Sequence, residues 1–243
     1  MLNLNHELLN PNLSIEEAKQ LQEKYRSKMH ILQSDYIISS FKDINNIAGV
    51  DISYFKLNNE EFGVSCVVLW NLIKQKVEDF KFYKDKINFP YQAGFLGFRE
   101  CKLISLAINE LPRLPDLIMC DGHGIIHPRR FGEAVQLGLA LNIPSIGVAK
   151  NPYVGYFEWS SLKRKKGNKV KITTSELKNS KPEVLGYAIC LKDDVKPVFI
   201  SVGYRTTLKL AIEVGLVSTL NHRQPEPLYL AHFLSKEKVK EFL

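Results

Sequence analysis

Pro115 to Lys150 reads PDLIMCDGHGIIHPRRFGEAVQLGLALNIPSIGVAK, a strand, a sharp turn, a helix and a second strand. Leu117, Ile118, Met119 and Cys120 form a short apolar run that stops at Asp121. A run this short, followed by glycines, suits a buried strand better than a helix. Gly122 and Gly124 allow a tight turn and the close approach of a ligand. From about Arg130 to Leu141 apolar residues recur at helical spacing, and Ile146 to Ala149 form a second buried strand ending in Lys150. One carboxylate and one ammonium thus arrive at strand ends on the same sheet edge, the edge where open α/β sheets bind ligands.

Elements of both kinds extend from this unit. Residues 1–12 read as an irregular arm, and a helix runs from Ser14 to about Met29 with acids in its first turn. Ile47–Phe55, Phe62–Leu72 and Lys76–Tyr83 read as three antiparallel strands, the first carrying Asp51 in an apolar setting. Asn88–Ala93 is a loop fixed at Pro90, followed by a helix from about Gly94 to Leu111 that contains Glu100. Pro152–Ser180 is the least regular stretch, with Lys163–Gly167 as a basic hairpin tip. Val184–Leu191 and Val198–Val202 are further strands, and Thr206–Val217 and Pro225–Phe242 are helices. No repeat or composition break divides residues 1–243, so the expectation is one α/β domain, a mixed sheet flanked by helices.

Composition narrows the function. A formal net charge of +7 and a pI near 9.1 favour an anionic partner, nucleic acid first. The four cysteines form no CxxC pair, and Cys120 and Cys190 sit in apolar runs as small hydrophobes. No signal-peptide layout and no bilayer-length apolar run is present, so the expectation is a soluble cytoplasmic protein with no membrane partner.

Asp51, Glu100 and Asp121 are acids in apolar or glycine-bounded settings, where a carboxylate needs a cation or a metal. If they converge they make an oxygen-ligand cluster suited to magnesium or manganese; if not, each pairs with a local Arg or Lys. Two metals about 4 Å apart in such a cluster can activate a water and stabilise the leaving oxygen of a phosphodiester. Other residues also have two readings. Tyr91 is a surface aromatic or a stacking group, His127 a packing residue or a pocket residue, and His232 an interfacial histidine or part of the cluster. His123 is expected in a turn, facing solvent or substrate backbone. Arg129 and Arg130 are candidate phosphate contacts, though one could pair with an acid instead, whereas Lys163–Lys166 is a solvated loop or a nucleic-acid contact.

GVDISYF, PYQAGFLGFRE, PDLIMCDGHGIIHPRRFG, IPSIGVAK and PEPLYLAH occur in an order and spacing that resemble the endonuclease V family over most of the chain. The resemblance implies a ribonuclease H-like fold and cleavage of nucleic acid beside deoxyinosine or inosine. It implies that Asp51 and Asp121 hold magnesium, with manganese as a possible substitute, that Glu100 completes the acidic cluster, and that His232 is its outer member. Lys150 would sit near the scissile phosphate. Tyr91, led by Pro90, would wedge into the stack vacated by the flipped base, and Leu96, Gly122, His127 and Gly132 would lie at that base's pocket. The implied product is a nick at the second phosphodiester 3′ to the inosine, made by a monomer.

Independent chemistry agrees with this. A flipped base needs an aromatic filler, and backbone N–H and C=O groups in glycine turns, here Gly94, Gly122 and Gly124, can read hypoxanthine's edge. Two departures from the family pattern stand out: Gln92-Ala93 in the wedge loop, and Tyr204 where a histidine is usual. The alternatives are an inosine-specific ribonuclease acting mainly on RNA, a non-catalytic inosine-binding protein, and a general ribonuclease H-like nuclease.

Overall fold

A computed structural model describes residues 4–32, 37–174 and 182–243. The sheet grows from its longest strands. Asn46–Leu57 (β1), Glu60–Asn71 (β2) and Lys76–Lys86 (β3) form an antiparallel meander whose β1–β2 register runs unbroken from Asn46 opposite Asn71 to Leu57 opposite Glu60. The short strands Leu117–Cys120 (β4) and Ser145–Ala149 (β5) add in parallel to β1, joined by the helix Glu133–Leu141 (α3) as a crossover. Lys169–Thr173 (β6), Val184–Ile189 (β7) and Val198–Val202 (β8) complete an eight-stranded sheet in the order β3-β2-β1-β4-β5-β8-β7-β6. Both edge strands carry several lysines, which discourage pairing with another chain.

Strand alternation divides the core between the two faces. Ala48, Val50, Ile52, Ile118 and Cys120 point to one face, packed by Ile15–Leu32 (α1), Leu96–Asn109 (α2) and α3. Ile47, Leu117, Met119, Ile146 and Val148 point to the other, packed by Leu208–Val217 (α4) and the start of Glu226–Lys240 (α5). α1 opens with a reciprocal cap: Glu17 Oε2 accepts from Ser14 N at 2.8 Å, and Ser14 Oγ accepts from Glu17 N at 3.3 Å.

Some boundaries differ from the expectation. α3 begins at Glu133 and not Arg130, because Arg130 is left-handed (φ 54°) and Gly132 serves as the N-cap. β6 lies inside the stretch expected to be irregular. Its sequence, KVKIT, has one buried residue and reads as polar because it is an edge strand. Lys163–Gly167 is a turn leading into β6, tied back through Lys166 N to Asp193 and Gly167 N to Cys190 O. The N-terminal arm has no helix or strand over residues 4–13, yet Leu8 is fully buried and its carbonyl accepts from Gln136 of α3 at 2.8 Å. Residues 1–3 of that arm and 175–180 of the irregular stretch lie outside the described residues. No helix among the described residues is long and apolar enough to cross a membrane.

Candidate active site

Register brings the acids together. The last β1–β4 pair is Val50 with Cys120, so Asp51 and Asp121 are the next residue on each strand. Alternation turns both toward the α5 face, where His232 Nδ1 lies 2.7 Å from Asp51 Oδ2. One ligand atom from each of Asp51, Asp121 and His232 lies within 4.8 Å of the others. Lys150, directly after β5, places Nζ 2.5 Å from Asp121 Oδ2, and Gln224 Nε2 donates to Asp121 Oδ1 at 3.0 Å. Burial and the neighbouring Asp51 push the Asp121 carboxyl above its ordinary value, and Lys150 and Gln224 work against that rise.

Glu100 and His232 approach the two aspartates from opposite faces of the sheet. Glu100 is carried by α2 on the opposite face of the sheet, so it is absent from the group that His232 joins. Its carboxylate accepts from the Tyr54 hydroxyl and hydrogen-bonds the carboxyl of Glu133. Glu133 was not singled out from the sequence. Burial first, then Glu100, Asp51 and Asp121, hold its carboxyl well above the carboxylate range, so it is the proton donor of the pair. Only the fold reveals it: every residue of α3 is buried, so an acid in that helix has no solvent face to occupy. Gln224, in the loop before α5, carried no sequence signal either.

A cavity of about 500 Å³ runs from the acid cluster to Tyr91. Asp51, Asp121, Lys150 and His232 line one end, and Leu96, Gly122, His127 and Gly132 line its body. Tyr91 is 77% exposed at the mouth. Pro90 is outside the lining and exposed. The Asn88–Ala93 loop is held instead by buried Phe89, whose ring stacks on Phe98 and whose carbonyl accepts from Arg99 Nη1 at 2.8 Å. At the other end of the loop Gly94 has φ 85°, and its carbonyl takes Gln22 Nε2 at 3.1 Å, Arg129 Nη2 at 2.8 Å and His127 Nε2 at 3.1 Å.

Several of the residues singled out in the sequence have partners within the fold. Gly94 O, Gly124 N (to Ser201 Oγ, 2.9 Å) and Gly124 O (from Gly132 N, 3.1 Å) are committed internally, whereas Gly122 lines the cavity. His123 lines the cavity, the second of its two expected orientations: its Nε2 is buried without a partner, its ring packs edge-on to Tyr153 at 5.6 Å, and burial lowers its pKa to about 4. Arg129 is spent on Gly94 and Gln22, and Arg130 pairs with Glu183 at 3.2 Å and with His127 O. Tyr204 lies in the core, 2% exposed, with its hydroxyl on Asn142 Oδ1, so the missing histidine removes nothing from the cavity wall.

His127 makes stability pH-dependent. Its Nδ1 accepts from Arg129 N and Phe131 N, so its proton sits on Nε2, facing Gly94 O. Burial first, then Arg129, lower its pKa from 6.5 to about 3. Between those values the unfolded chain binds a proton that the folded chain does not, so stability falls as pH drops through that window. From pH 7 to pH 5 this one group removes about 2 kcal/mol. Urea unfolding at both pH values should show His127→Gln losing less stability than the wild type by about that amount.

A family model described as endonuclease V matches residues 27–233. The chain belongs to the endonuclease V family. An endonuclease V of Dictyoglomus turgidum is 37% identical over 221 residues, covering 91% of this chain and 89% of that one. The crystal structure of endonuclease V from Bacillus subtilis superposes with a TM-score of 0.85 at 26% identity, covering 97% of each chain. The Ciona intestinalis endonuclease V, solved in complex with a 24mer DNA containing an inosine followed by a ribo-adenosine, superposes with a TM-score of 0.74 at 30% identity, covering 93% of this chain and all of that one. The expected ribonuclease H-like fold, a single domain with a mixed sheet flanked by helices, holds.

Proposed function

We propose that this endonuclease V homologue cuts nucleic acid beside inosine, holding the flipped base in the cavity and nicking the second phosphodiester 3′ to it. The observation that carries this reading is the continuity of one cavity, which has an acid cluster with a lysine at one end and an exposed tyrosine at the other. The Ciona relative, crystallised with inosine-containing DNA, supports the substrate class.

The donor set fits a hard divalent cation: two carboxylates and an imidazole converge, and the buried carboxyl of Asp121 sits next to a second acid that disfavours its ionised form. Asp51, Asp121 and His232 would hold magnesium, with manganese as a substitute, and Glu100 would stand behind them. When bound, the cation supplies Lewis acidity at the scissile phosphate. Lys150 holds a fixed positive charge where a phosphate oxygen would lie, and breaking its contact with Asp121 frees it for that oxygen. Glu133 holds the Glu100 carboxylate by hydrogen bond, and Gly122 presents backbone to the base. Tyr91 fills the gap in the stack. RNA is admitted as a substrate alongside DNA, and a monomer suffices for every step.

Tyr91→Ala tests the wedge. The side chain is exposed, so its loss leaves folding intact. Loss of one stacked base–aromatic contact, about 1–3 kcal/mol, lowers duplex nicking about tenfold or more. Inosine in a single strand, where no stack needs filling, is cut at closer to the wild-type rate. Equal loss on both substrates contradicts the wedge. Sequencing-gel mapping of the cut, on matched DNA and RNA strands, checks its position and the sugar preference.

A further inference from the structure

Lys150, Asn151 and Pro152 form a wall shared by two cavities. On one side lies the candidate base pocket, and on the other a second cavity of about 430 Å³. Arg164, Lys196 and Arg223 line the second cavity, and none of its lining residues is acidic. Arg223 fixes its shape: Nη2 donates to Lys150 O and to Pro197 O, both at 2.6 Å, and Nε donates to Lys196 O at 3.1 Å. Arg164 and Lys196 are exposed. Trp159 stands beside them, 53% exposed, braced edge-on by Phe199 and tilted against Phe157 at 4.5 Å. A braced, exposed indole among cations is what single-stranded nucleic acid binds: bases stack on the ring while phosphates meet Arg and Lys.

We propose that this groove binds the single-stranded 3′ arm of the substrate, with a base stacked on Trp159 and phosphates on Arg164 and Lys196. The polarity rests on the reading of the active site above. With the flipped base in the first cavity and the scissile phosphate at Asp121 and Lys150, the strand that leaves 3′ of the cut passes over Lys150–Pro152 into the second cavity. The groove thus holds the strand on the product side.

The chain has two tryptophans, and the other, Trp70, is 5% exposed, so Trp159 reports on its own groove. Titrating the protein with an inosine-free oligothymidine should quench the exposed tryptophan emission, and the double variant Arg164→Glu/Lys196→Glu should weaken that binding about tenfold or more. Absence of quenching overturns the proposal. Quenching in a protein that fails to nick inosine strands supports the groove and overturns the active-site reading, so the two failures are separable. For polarity, single strands with one inosine, a constant 5′ arm and a 3′ arm of about two or about eight nucleotides are compared. The wild type should show a KM about tenfold lower for the longer 3′ arm, and Trp159→Ala should lose that advantage. An advantage that tracks the 5′ arm, or one that Trp159→Ala retains, overturns the assignment.

Discussion

Asp51→Asn and Asp121→Asn should each lower the nicking rate at saturating magnesium by about a thousandfold, about 4 kcal/mol of transition-state stabilisation. Asparagine keeps the shape and removes the charge. Asp121 has three neighbours that depend on that charge or sense it: Lys150 Nζ, Gln224 Nε2 and the Asp51 carboxylate. In the metal-free protein Asp51 makes ionisation of Asp121 harder, so removing either acid relieves repulsion between buried groups. The metal-free variants should therefore melt no lower than the wild type. They should also lose the rise in melting temperature that magnesium gives the wild type, since that rise measures binding to the folded state. Lost activity with intact stability and lost metal response is the expected pattern. A variant that nicks at the wild-type rate places the chemistry elsewhere.

Gly49→Ala should unfold more easily by about 3 kcal/mol and disable the site without touching it. Gly49 lies in β1 on the α5 face, where an added Cβ would sit 2.4 Å from the Pro227 carbonyl carbon and 2.5 Å from its oxygen. Those are backbone atoms in the first turn of α5, so the clash cannot be relieved by a side-chain rotation. The helix has to move off the strand. α5 carries His232, whose 2.7 Å contact with Asp51 depends on that close packing, as does the Ser53–Ser235 contact at 2.8 Å one turn further on. Urea unfolding and the magnesium-dependent shift in melting temperature measure both consequences. A variant with a wild-type metal response would show that His232 is not held in place by this packing.

Much of the site was legible because the chemistry ends regular elements. Asp121 closes an apolar strand before two glycines, Lys150 closes another, and parallel pairing of β1 with β4 makes Asp51 the neighbour of Asp121. What escaped was set by tertiary burial. Glu133 reads as the polar residue of a surface helix until α3 is seen to be buried on all sides. His123 is the turn residue it reads as, but its contact with Tyr153 and its place in the cavity wall come from the fold. Which sheet face each helix occupies is also not written in local pattern, so the approach of Glu100 and His232 to the aspartates from opposite faces became visible only in the fold. β6 was missed because an edge strand buries too little to show an apolar run. Gly94 and Gly124 read as turn glycines, but the Gly94 carbonyl and both backbone groups of Gly124 are taken up within the fold.

The most direct test is a nicking assay on matched duplexes that differ in one base, inosine or guanine, with magnesium or with chelator, using wild type and Asp121→Asn. Strand cleavage that requires inosine, magnesium and Asp121 together is the predicted result. Equal cleavage of the inosine-free duplex would make the chain a general nuclease. Tight inosine-dependent binding with no cleavage under any metal would make it a reader of inosine, and would contradict the catalytic role given to Asp51, Asp121, His232 and Lys150.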